Sequence, residues 1–87
     1  MPIKKVSETT STLITLLHNI DELIVISNQR KEASEAMRAL TIYANNLKFP
    51  IPDEKIQNFH AVLLDSRPMT LRYILQSIAA DIVGQNK

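Results

Sequence analysis

One residue type narrows the folds open to this chain more than any other: among 87 residues there is a single glycine, Gly84. Tight hairpin turns need positions that accept positive φ, and glycine does this at least cost, so a β-rich domain of this size would need several. The four prolines fall at positions 2, 50, 52 and 68. They divide the chain into blocks and interrupt none. The expectation is an all-α single domain, a compact antiparallel bundle of about four helices with short connections.

Hydrophobic periodicity fills in the blocks. The first runs over about 7–27, with Ser7 or Thr10 as its cap, Glu8 in the first turn, and Leu13, Leu16, Leu17, Ile20, Leu23 and Ile24 at helical spacing. Its end, Leu23 to Ile26, is β-branched enough to pass for a short strand, but the chain offers no partner strands. Ser27-Asn28-Gln29 reads as a break. The second block, about 30–48, carries Ala33, Ala36, Met37, Leu40, Tyr43, Ala44 and Leu47 on one face, and Arg30-Lys31 is expected to be a solvated helix start. Phe49-Pro50-Ile51-Pro52 must be extended, because a residue preceding proline avoids the α region.

Asp53 is the expected cap of a third, shorter block over about 53–65, with Ile56, Phe59, His60, Leu63 and Leu64 inward. Pro68 suits the first turn of a fourth block over about 68–83. Leu71, Ile74, Leu75, Ile78 and Ile82 give that block its stripe, and Gly84 stands where a C-terminal cap belongs.

Composition sets limits on chemistry. Two Phe, two Tyr and no Trp leave an aliphatic core, and the lack of cysteine excludes disulfides and thiolate metal sites. Ten basic residues against nine acidic give a net charge of +1, too little for a general field toward nucleic acid or an anionic membrane. One glycine cannot build a phosphate-cradling loop, which argues against nucleotide hydrolysis and dinucleotide binding. The longest aliphatic run, Leu23 to Ile26, is far too short to cross a bilayer, and a cytoplasmic protein is the expectation.

Three constellations could carry chemistry. His60 with Asp65 and Ser66 has the residue types of a catalytic triad, but no spacing that gathers them around the ring, so His60 is expected at the core's edge. His18, Asp21 and Glu22 share one side of a helix and make half a metal site; a solvated polar stripe explains them equally, and no metal or cofactor is expected. The last two blocks, joined by Asp65-Ser66-Arg67, have the outline of a helix-turn-helix. In a DNA-binding protein Arg67, Thr70, Arg72, Tyr73 and Gln76 would be presented near the start of a recognition helix. Asp53, Glu54 and Asp65 nearby weigh against it.

The stretch Ile42-Tyr43-Ala44-Asn45-Asn46-Leu47-Lys48-Phe49-Pro50, followed by a short helix, resembles a segment of the enterocin-type bacteriocin immunity proteins. The resemblance implies a small cytoplasmic four-helix bundle acting by protein–protein interaction. It spans about Leu40 to Arg67 and includes no residue of defined role. One block precedes it where that family has two, so it is not taken as an assignment.

The first block is apolar over a wider arc than one bundle face needs. Ile14, Leu16, Val25 and Ile26 extend it, and no charge falls between Glu8 and Asp21. These four residues are the expected partner-binding surface. The leading expectation is a non-enzymatic bundle, a regulator, inhibitor or assembly subunit, that binds another protein or a second copy of itself. The alternative is the helix-turn-helix DNA binder.

Overall fold

The computed structural model describes residues 8–85, and within them the chain is helical throughout apart from short connections. Helix α1 spans Glu8–Val25, α2 Arg30–Asn46, α3 Asp53–Val62 and α4 Pro68–Gly84. The all-α four-helix expectation holds. Leu23–Val25 is the last turn of α1, not a strand.

Each helix buries one narrow seam. The buried positions are 10, 13, 17, 20 and 24 on α1, 33, 37, 40 and 44 on α2, and 71, 75, 78 and 82 on α4. All alternate steps of three and four, which keeps a seam facing its neighbours along a helix of 3.6 residues per turn. Helix α3 and its exit add Ile56, Phe59 and Leu63 with the same steps. Phe59 is the one buried aromatic side chain among the described residues, in a core otherwise built of Leu, Ile, Met and Ala.

Helix α1 packs against α2 on one flank and α4 on the other, while α3 joins α2 to α4 across from α1. Polar contacts fix the directions. Arg72 at the start of α4 meets Asp21 near the end of α1, Ser34 early in α2 meets His60 late in α3, and Lys55 at the start of α3 meets Asp81 near the end of α4. Every neighbouring pair is therefore antiparallel. The α1–α2 and α3–α4 connections share one end of the bundle, and the α2–α3 connection lies at the other.

The ends of the helices depart from the sequence expectation. Among α2, α3 and α4 no N-cap side chain bonds a first-turn amide. Asp53 lies inside α3 behind Pro52, and its carboxylate accepts from the Gln57 side chain at 2.5 Å instead of capping. Thr10 is buried on the seam of α1 rather than placed at its start, and Ser7 lies outside the described residues. Gly84 is still helical without a positive φ, so Gln85 is the terminal position. The positive-φ roles fall to Asn28 and Lys48. At Lys48 the Phe49 amide donates to the Ala44 carbonyl at 2.8 Å and the Lys48 amide to Asn45 at 3.0 Å, the six-to-one and five-to-two pattern of a Schellman close. Phe49 then folds back onto the core.

Candidate functional site

Some of the charged and polar side chains that sequence spacing offered for chemistry link helices: Asp21 to Arg72 and His60 to Ser34. Both Asp21 carboxylate oxygens accept from Arg72, at 3.2 Å from Nε and 3.0 Å from Nη2. That two-point geometry suits a guanidinium and leaves the carboxylate little capacity for a metal. His18 and Glu22 lie 3.7 Å apart on the exposed side of α1. Among the described residues no three His, Asp or Glu side chains are placed to share an ion.

His60 is half-buried, its Nδ1 3.2 Å from Ser34 Oγ and its ring edge-on to Phe59. Burial pushes its pKa below the ordinary value, and the nearby Arg38 charge pushes the same way. The partner across the helix interface is Ser34 on α2, which no local spacing could indicate. Asp65 and Ser66 belong to the turn after α3, where the Ser66 carbonyl accepts from Arg30.

Arg30 is the correction of largest consequence. It is not a solvated helix start. Its Nη1 donates to the Leu63 and Ser66 carbonyls at 2.6 and 2.5 Å, and its Nε to Asn28 Oδ1 at 3.0 Å. A cation on the open carbonyls at a helix C-terminus is favoured by hydrogen bonding and by the helix dipole. One side chain thus ties the α1–α2 turn to the α3–α4 turn.

The four residues expected to bind a partner do not share a face. Ile14 and Leu16 stand about 200° apart around the helix, and both are partly buried against the core. Ile14 lines a shallow groove of about 290 Å³ between α1 and α4, with His18, Arg72, Gln76 and Ala79 among its walls. Val25 is 39% exposed and Ile26 73% exposed, both at the end of the bundle where the two turns meet.

The larger exposed apolar surface is on α4. Met69 is 67% exposed, Tyr73 74% and Val83 56%, and with exposed Gln76 and Ala80 they form an outward stripe stepping four, three, four, three. Of the residues proposed to read DNA, Arg67, Thr70, Tyr73 and Gln76 are exposed, while Arg72 is held by Asp21. The pattern of this stripe was open to view in the sequence, but its outward direction follows only once Leu71, Leu75, Ile78 and Ile82 are known to be the buried seam. Leu64, expected inward, is also exposed, beside the same turn.

Among the described residues no helix is long and apolar enough to cross a membrane. Compared with protein-family models, with curated proteins and with solved structures, the chain matches none of them.

Proposed function

We propose that this chain is a non-enzymatic helical bundle that works by binding protein, in the manner of a regulator, inhibitor or assembly subunit, in the cytoplasm. The observation that carries this reading is the outward α4 stripe. A side chain as large as Tyr73 left almost uncovered beside Met69 on a domain of 87 residues is surface whose burial is favourable, and such patches mark interfaces. The polar inventory supports it from the other side: Arg30, Asp21, Arg72, Lys55 and Asp81 hold the fold together and do not converge on a space where a substrate could react.

The DNA-binding alternative is weakened by the way α3 and α4 meet. Lys55 in the first turn of α3 pairs with Asp81 near the end of α4, so the ends of the two helices remote from their connecting turn are drawn together. A helix-turn-helix holds its pair at roughly 90–120° so that one helix can enter the major groove. With Arg72 turned to Asp21, Arg67 is left as the exposed arginine of the proposed reading surface. Affinity capture from host extract, run with and without nuclease, separates the two readings. Protein retained after nuclease, and lost from a Tyr73→Asp bait, is the expected result; retention that vanishes with nuclease would favour nucleic acid.

A further inference from the structure

We infer that the outward α4 stripe is a self-association surface, and that its partner is a second copy of this chain, docked antiparallel about a two-fold axis beside Gln76. The inference rests on the protein-binding reading and names the partner. Three observations commit the surface to a second copy.

The stripe is complementary to itself. Reversed about Gln76, it sets Met69 level with Val83 and Tyr73 level with Ala80, so the largest side chain faces the smallest. Gln76 meets its own copy, and a carboxamide both donates and accepts, so two of them can pair. A two-fold contact requires this property, since each copy presents the same patch to the other. A central polar residue in an otherwise apolar helix seam also fixes register.

Charge permits the approach. Helix α4 has two charged side chains, Arg72 and Asp81, and each is neutralised within its own protomer, by Asp21 and Lys55. On the α1 side of the stripe Glu22 lies 3.7 Å from the His18 ring. Two copies can therefore meet along α4 with no charge among the five stripe residues and both charged side chains of the helix already paired.

Area puts the contact below the standard size. Allowing about 200 Å² for an exposed tyrosine and less for the others, the stripe offers roughly 500 Å² per protomer. A standard stable interface uses about 800 Å² per partner, so a weak, reversible dimer is expected. Val25 stands on the same flank. It lies one turn beyond Asp21, level with Met69 in the antiparallel register, and can add to the contact.

The absence of native cysteine makes the test clean. Light scattering on the wild-type chain from about 10 μM to about 1 mM should show the mass rising from one chain toward two, and Tyr73→Asp should weaken association about tenfold or more with unchanged helical circular dichroism. Under mild oxidation Gln76→Cys should form a covalent dimer, because it pairs with itself at the axis, while Glu35→Cys on the exposed side of α2 should not. A wild-type chain that stays monomeric throughout, with Gln76→Cys crosslinking no faster than Glu35→Cys, overturns self-association. If host protein is nevertheless retained through Tyr73 in the capture experiment, the protein-binding reading stands and only the second copy falls. Crosslinking at both positions alike would mean non-specific collision, and would also overturn the inference.

Discussion

Lys48 holds a backbone angle that glycine would hold at lower cost. Its φ of 57° lies in the left-handed region, where a Cβ crowds the following carbonyl by about 1–2 kcal/mol. Among the described residues no side-chain hydrogen bond of Lys48 sets off that strain. Lys48→Gly should raise stability by about 0.5–1 kcal/mol, less the extra freedom glycine brings to the unfolded chain, and chemical denaturation would show it as a shift in midpoint with unchanged slope. His60 supplies the pH dependence at the same scale. Its folded pKa is lowered, chiefly by burial and secondly by Arg38, so the neutral ring is the form the fold prefers. The unfolded chain then binds the proton more readily, and stability is fully present above about pH 6.5 and falls as pH drops through that value toward the lowered one. In His60→Gln the melting temperature should depend less on pH between 7 and 5 than in the wild type. An identical slope in both would mean that His60 does not couple folding to protonation.

Among the elements, α3 depends most on contacts from elsewhere. It has 10 residues, too few for an isolated helix to persist in water, and no side chain bonds its N-terminal amides. Arg30 closes its C-terminal end, Lys55 reaches Asp81 on α4, and Ile56 and Phe59 lock its inner face into the core. Arg30→Ala removes hydrogen bonds from a charged donor to two carbonyls, with water replacing part of the loss, and should cost about 1–2 kcal/mol. Amide exchange should quicken first in residues 59–66. Equal quickening in all four helices would mean that Arg30 stabilises the bundle as a whole instead of the end of α3. The seams of the helices were legible in the sequence because a three–four alternation of Leu, Ile, Ala and Met has one structural meaning in a chain without turn glycines. The ends were less so. Asp53 and Gly84 have the right identities for caps, yet Pro52 and the continuing turn at Gly84 place the boundaries one residue away from where those identities could act. The tie from Arg30 to the α3–α4 turn could not be placed from spacing, since its two carbonyl acceptors lie 33 and 36 residues along the chain.

At the scale of the whole molecule, direction was the missing quantity. Ile14 and Leu16 extend the apolar arc of α1, and the structure uses both flanks of that arc, one toward α4 and one toward α2, so an apparently surplus surface is mostly consumed in packing a central helix. On α4 the structure leaves apolar surface facing outward. Tyr73 and Gln76 follow a turn, which suggests contacts to nucleic acid, and spacing alone does not group Met69, Ala80 and Val83 with them. Only the packing of α4 between α1 and α3 shows that these five residues form a single uncharged stripe on the outside. The most direct test of that stripe as the working surface is a concentration series of nitrogen–proton correlation spectra on the wild-type chain. Shifts that grow with concentration should concentrate at Met69, Tyr73, Gln76, Ala80 and Val83, with weaker changes at Val25 and His18 and none at Glu35 or Ile42 on the exposed side of α2. Spectra that do not change with concentration, or changes centred on α2, would contradict it.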